Sequence, residues 1–332
     1  EIMRDTFPVR LLPLGGDTWV DAIWRPGEAG RKRWLIIPRG GTGFAGVQSL
    51  RDVMLTEGRT EHLPFLIGAQ GGAGGGQFAT YWRVGILPTV GAAPGSLNPG
   101  TICNSTTTGG LYNQSAALPI PPAGMTKHIA MGQMCSLDVG AGIRLLYDRL
   151  WHGGNLDPTI TTTQTIGSTA LTRYTSTASV HNKAWIEIVT ALTGGGGQAT
   201  MTYTDQSGNA GQSGVTTGLV SGVAIDRFYH GTEPWLTLAA TDTGVRAIAD
   251  ITFNTAATAG TTRIVIGRPL ALLGLGPIAG QVIEKEFAIQ LSGLMRLIDD
   301  GANGPCLSFL AFPHGGVAGA SEFFGAVHTV MN

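Results

Sequence analysis

Four runs decide the fold: Thr159-Ile160-Thr161-Thr162-Thr163-Gln164-Thr165-Ile166, Leu171-Thr172-Arg173-Tyr174-Thr175, Trp185-Ile186-Glu187-Ile188-Val189 and Thr200-Met201-Thr202-Tyr203-Thr204. Each is short and rich in β-branched or aromatic residues, and several alternate polar with apolar. Gly, Asn, Asp and Ser clusters separate them, as expected of an antiparallel β-sandwich or barrel. The span 159–268 therefore predicts strands throughout, with no helix longer than two turns. Arg263-Ile264-Val265-Ile266-Gly267-Arg268-Pro269-Leu270 closes the span as a further strand.

Outward from that region, further strands are expected at Phe7-Pro8-Val9-Arg10-Leu11-Leu12-Pro13-Leu14, Arg33-Trp34-Leu35-Ile36-Ile37-Pro38 and Phe78 to Leu87. Residues 47–55 place Val47, Leu50, Val53 and Met54 on one face of a short helix. Gln281 to Phe287 fits a strand, while Leu291, Leu294, Met295 and Ile298 have helical spacing. Cys306 to Phe312 and Phe323 to Val330 read as a closing hairpin around a Gly-rich loop. Between Gly68 and Pro122 lies a long Gly/Pro-rich arm. Its prolines at 88, 94, 99, 119, 121 and 122 favour extended backbone, and stretches beyond about 12–15 residues without regular structure are uncommon unless they bind something. The segment 88–122 is expected to lie across a neighbouring subunit, the other reading being a loop that meanders over its own domain. The fold class is thus mainly β: a β-sandwich or jelly-roll-like domain, a loop-rich N-terminal β region and few short helices. The division expected is 1–145 for the N-terminal region with its arm at 68–122, and 146–332 for the Thr/Gly-rich sandwich.

Of the 332 residues 43% are hydrophobic and only 13% charged, against about a quarter charged in ordinary soluble domains. Mean hydropathy is +0.16. A surface so poor in charge points to packing against other subunits. The formal net charge of −1 gives no steering toward nucleic acid or an anionic membrane. The start, Glu1-Ile2-Met3-Arg4-Asp5-Thr6, does not read as a secretory signal. The longest apolar run, Ile264 to Gly280, is interrupted by Arg268, Pro269 and Pro277 and is not expected to span a bilayer.

Chemical motifs are sparse. Gly41-Thr42-Gly43-Phe44-Ala45-Gly46 matches G-x-G-x-x-G. No βαβ unit follows to aim a helix N-terminus at a pyrophosphate, so Gly41, Gly43 and Gly46 are expected to bind no nucleotide. Gly71 to Gly76 lacks the Gly-Lys-Ser/Thr of a P-loop, and Gly208 to Gly214 reads as a hairpin loop. His62, His128, His152, His181, His230, His314 and His328 show no metal-ligand spacing, and Asp299-Asp300 reads as a turn. Cys103, Cys135 and Cys306 are too far apart for a metal motif and are expected as buried free thiols, one disulfide plus one thiol being the other arrangement. Arg31-Lys32-Arg33 reads as a solvated turn, and the scattered tryptophans as core or interface anchors. No catalytic, cofactor-binding or metal residue is assigned, and no cofactor is expected.

Leu145-Leu146-Tyr147-Asp148-Arg149-Leu150-Trp151-His152, followed by the Thr-rich runs and by Tyr203-Thr204-Asp205-Gln206-Ser207-Gly208, resembles virion structural proteins from the head and tail gene clusters of tailed bacteriophages. The resemblance covers roughly Phe65 to the C-terminus and carries no catalytic residues. It implies a non-enzymatic structural component of a virion, assembled in the host cytoplasm. The leading role is a head decoration or cement protein. It would contact the major capsid protein or other virion proteins, form a homo-oligomer with a trimer favoured, and bind neither nucleic acid nor membrane. A tail tube, baseplate or fibre protein is the alternative within that class, and a glycan-binding β-sandwich the alternative outside it.

Overall fold

The structure is a computed structural model. It describes residues 6–10, 19–26, 32–39, 60–68, 78–91, 93, 99–111, 127–136, 142–194, 197–216, 226–228, 235–275, 278–286, 296–297, 304–312 and 322–331. The first strands are β1 (Thr6–Arg10), β2 (Trp19–Pro26), β3 (Lys32–Arg39), β4 (Thr60–Ile67), β5 (Ala79–Thr80), β6 (Gly85–Leu87) and β7 (Thr101–Ile102). The central ones are β8 (Lys127–Ser136), β9 (Gly142–Leu156), β10 (Gln164–Thr165), β11 (Lys183–Thr193), β12 (Ala199–Asp205) and β13 (Gln212–Val215). The last are β14 (Val245–Phe253), β15 (Ala259–Leu275), β16 (Val282–Glu286), β17 (Arg296–Leu297), β18 (Leu307–Phe312) and β19 (Phe323–Met331).

The protein is mainly β, and every ladder among the described residues is antiparallel. A small sheet has the order β1-β2-β3. The middle sheet runs β11-β15-β9-β18-β5, with β7 also on β9. A second sheet runs β10-β14-β12-β13, and a third runs β16-β8-β19-β4-β6 with β17 beside β8. One core joins the middle sheet (Tyr147, Trp151, Trp185, Ile264, Ile266) to the second (Met201, Tyr203, Ile248, Ile251, Phe253). Another core joins the middle sheet (Leu146, Leu273, Leu307, Phe309) to the third (Leu63, Phe65, Met134, Phe323, Val327). The middle sheet is therefore packed sheet against sheet in both cores, and β9 shows the result: nearly every residue from Gly142 to Leu156 is buried, without alternation.

Within 159–268 the regular structure is β10 to β15, and the only described helix is the 3-10 segment Ser176–His181, two turns at three residues each, so no described helix exceeds the two turns expected. Trp185–Val189 falls in β11 and Thr200–Thr204 in β12. Two runs differ from expectation. Of Thr159–Ile166 only Gln164–Thr165 pairs, because Asp157 turns the chain by accepting hydrogen bonds from the amide and hydroxyl of Thr159. Leu171–Thr175 is a bend, with Tyr174 at φ 49°. Arg173 and Tyr174 are both buried, which a strand's two-residue alternation does not allow on a half-covered sheet.

The expected closing hairpin is also corrected. β18 pairs with β9 and β5, whereas β19 pairs with β8 and β4, so the two strands enter different sheets. Phe78–Leu87 is two short strands joined by a turn. Lys32 and Arg33 begin β3 and are not in a turn. The arm expected to reach a neighbour lies, over residues 99–111, on its own chain. β7 pairs with β9, Cys103 and Leu111 are wholly buried, and Trp151 Nε1 donates to the Pro99 carbonyl at 3.0 Å. Small side chains permit this approach: a Cβ on Gly109, at φ 97°, would sit 2.2 Å from Gly91 Cα. Burial against the chain's own Trp82 and Trp151 offsets the ordering entropy that a partner was expected to repay. The boundary expected at 145/146 falls inside β9. The helix expected at 47–55, Gly41–Gly46, Gly71–Gly76, Asp299-Asp300, His230 and His314 lie outside the described residues, as does most of the helical pattern at 291–298, of which Arg296–Leu297 is strand.

Candidate functional site: a buried charge network and an apolar sheet face

Glu187 is a lone carboxylate in the apolar run of β11, and it cannot reach solvent. Its direct cross-strand partner on β15 is Arg263, whose Nε donates to Oε2. Arg149, on β9 across β15, donates from Nη1 to Oε1 and from Nη2 to Oε2, both at 3.0 Å. Trp185 Nε1 adds a bond to Oε1 at 2.9 Å. Burial alone would raise the carboxyl's pKa. Arg149 and Arg263 outweigh it, aided by the bonds from Arg149 and Trp185, and hold Glu187 far below the usual carboxylate range. Beyond Arg263 the chain of charges continues to Asp226 Oδ1 at 4.0 Å and from there to Arg83 at 3.9 Å, whose side chain is 35% exposed.

Arg149 is held on its other sides too. Nε donates to His152 Nδ1 at 3.1 Å, Nη1 to the Tyr147 hydroxyl at 3.0 Å, and the guanidinium stacks 4.4 Å from the Trp82 ring centre. The Tyr147 hydroxyl is pushed up to about 12, chiefly by burial, so it remains a donor at neutral pH. Next to it Asp148 takes a fork from Arg173, at 3.0 Å from Nε and 2.7 Å from Nη2, plus the Cys306 amide at 2.8 Å. Arg173 Nη1 donates to the Cys103 carbonyl at 2.8 Å. Consecutive charges 148 and 149 face opposite sides of β9, which is possible only because both sides are covered and each side supplies a partner.

The third sheet presents a different surface. Val282, Cys135, Phe324, Leu66 and Leu87 are successive cross-strand partners through β16, β8, β19, β4 and β6. Val282 is 58% exposed, Phe324 39% and Leu87 39%, with Cys135 covered between them. This is an apolar row across the whole sheet, on the face opposite Leu63, Phe65 and Val327. Four residues along, on the same face, His62 and His328 pair across β4 and β19 with their Nδ1 atoms 2.5 Å apart.

Arg149, Glu187 and Arg263 are sealed from solvent, and their bonds tie β9, β15 and β11 together. Of the residues considered from sequence, the structure brings together His62 with His328, and Cys103 with Cys306 beside Trp82. Cys103, Cys135 and Cys306 are free and buried, as expected. His128 lies in β8, opposite Val330 of β19, and His181 in the 3-10 turn. No group of three or more His, Cys, Asp or Glu among the described residues could hold a metal ion. No described helix is long and apolar enough to cross a membrane, which says nothing of strands. Sequence reasoning missed Glu187 and Arg263. The available signal was a single charge inside an otherwise apolar strand run, which demands a buried counter-charge.

Scans against protein-family models, curated proteins and solved structures find no match for the chain.

Proposed function

We propose that the chain is a structural subunit of a tailed-phage particle, in its leading version a decoration or cement protein on the head lattice. The assignment to a phage rests on the resemblance of 145–152, the Thr-rich runs and 203–208. The observation that carries the structural role is the exposed apolar row Val282–Phe324–Leu66–Leu87. Val282, Phe324 and Leu87 put apolar side chains into solvent on one sheet face, with Leu66 half-buried and Cys135 covered among them, and apolar groups gathered on one face are what a partner subunit can cover.

The distribution of charge supports the same reading. Arg144, Arg149, Arg173, Arg227, Arg263 and Arg268 are buried, in a chain with only 21 Lys and Arg. Charge is spent on the interior, and the surface is left still poorer in it than the composition implies. Such a surface suits subunits that self-associate, with a trimer favoured, and that seat on a repeating lattice where each modest contact is multiplied by symmetry.

The test is incorporation. Phe324→Glu combined with Val282→Lys places charge on a face where both side chains are exposed. The free subunit should keep its thermal midpoint within about 3 °C, since exposed substitutions typically cost within ±0.5 kcal/mol, while its recovery in purified particles falls at least tenfold. Unchanged recovery would remove the role assigned to this face.

A further inference from the structure

We propose that Cys103 and Cys306 form a disulfide-forming pair that staples a split strand on the edge of β9. β7 and β18 both run antiparallel to β9 along the same edge, β7 opposite Trp151 and His152, β18 opposite Ile143 to Asp148. They come from sequence positions about two hundred residues apart. Between them, the Cys103 amide donates to the Leu150 carbonyl at 3.0 Å and the Arg149 amide donates to the Cys306 carbonyl at 2.8 Å. Cys103 thus ends one half-strand and Cys306 begins the other, at neighbouring positions on β9.

Both cysteines are fully buried in one cluster with Trp82, near enough for each thiol to perturb the other. Proximity of that kind, between residues set by the same strand edge, is what a disulfide requires before backbone strain is considered. Cys135 sits in the third sheet, away from this pair, so the chain holds one intramolecular pairing that its fold presents.

The two thiols are also unequal. Burial pushes the Cys103 thiol up, but the neighbouring Cys306, His152 and Arg149 outweigh it and bring it well below the ordinary thiol value. Burial and the neighbouring Cys103 push Cys306 up. Cys103 is therefore the attacking sulfur and Cys306 the resolving one. With a small-molecule disulfide such as oxidised glutathione as oxidant, the Cys103 thiolate breaks the S–S bond and forms a mixed disulfide, releasing one glutathione thiolate. Cys306, losing its proton, then attacks the Cys103 sulfur and expels the second. The two cysteine protons leave with the two glutathione molecules, and two electrons pass to the oxidant. Access requires segment 99–111 to lift from β9, because it carries Cys103 and places Gly110 against the Cys306 sulfur. The reaction is accordingly slow on the folded chain and fast during refolding.

The test uses the full chain, refolded from denaturant in a glutathione redox buffer and, separately, folded and then exposed to oxidised glutathione. Peptide mapping without reduction should recover Cys103 linked to Cys306 from the refolded sample, with Cys135 unlinked. The linked protein should melt about 5 °C higher than the reduced form, since the closed loop is long, and dithiothreitol should abolish the difference. The Cys135→Ser variant, in which one intramolecular link remains, should give the same product. Free or separately glutathionylated Cys103 and Cys306 after refolding, or a link from either to Cys135, would overturn the pairing.

Discussion

Glu187 concentrates the energetic logic of the interior. One carboxylate answers two guanidinium groups, Arg149 and Arg263, and accepts a further bond from Trp185. Removing its charge while keeping its shape leaves two buried cations without their anion, so Glu187→Gln should cost about 3–5 kcal/mol in denaturant-unfolding free energy. The pH dependence follows from the same residue. Its folded pKa is depressed, so the unfolded chain, near the ordinary value of about 4.3, takes up the proton first as pH falls. The contribution is complete above about pH 4.3 and is lost progressively below it. The wild type should therefore lose stability more steeply below that pH than the Gln variant, in which Asp157 and Asp205, also held below the usual range by their hydrogen bonds, still titrate. Equal slopes in the two proteins would show that Glu187 is not the group responsible. A second residue-scale case is Gly109. Its positive φ and 2.2 Å approach to Gly91 leave no room for a methyl group, so Gly109→Ala should destabilise by about 1–3 kcal/mol. A neutral substitution would mean that segment 99–111 does not rest on Trp82 and Gly91. Such residues are hard to see in sequence. The charges inside the apolar run 143–151 were visible, but nothing in the string says that Glu187 or Arg263 completes them.

Elements were legible where local chemistry alone decides them. β11, β12, β15 and β16 follow from β-branched runs, and the β12–β13 loop from its glycines, with Asp205 closing it by accepting from the Ser207 and Asn209 amides at 2.8 Å. They were illegible where a distant partner decides. Leu171–Thr175 bends because Arg173 must reach Asp148, and β18 and β19 separate because each meets a different sheet. The His62–His328 pair, also invisible in sequence, yields a prediction for the third sheet. Burial, then repulsion from His62, lowers the His328 pKa, opposed by Glu284. The unfolded chain therefore protonates first, and this contribution is present above about pH 6.5 and is lost as pH falls through that range. Equilibrium unfolding at pH 7 and 5.5 should show a loss in the wild type that is smaller in His328→Gln. An identical loss in both would assign the effect to another group.

At the scale of the whole molecule, composition announced a surface starved of charge, and the structure makes it more so by burying charge along β9. The division at 145/146 was read from a change in residue style. β9 crosses that point, β4 pairs with the C-terminal β19, and β5 with β18, because antiparallel ladders are built from partners far apart in sequence. The outer face of the third sheet was equally unreadable in advance, since Val282, Phe324, Leu66 and Leu87 become neighbours only through four ladders. The claim that this face seats the chain in a particle is tested most directly by electron cryomicroscopy of whole virions from cells producing the protein. The account predicts density for the chain in symmetric copies on the head lattice, with Val282, Phe324 and Leu87 covered by a neighbouring subunit. Particles without the chain, or copies whose apolar row faces open solvent, would contradict it.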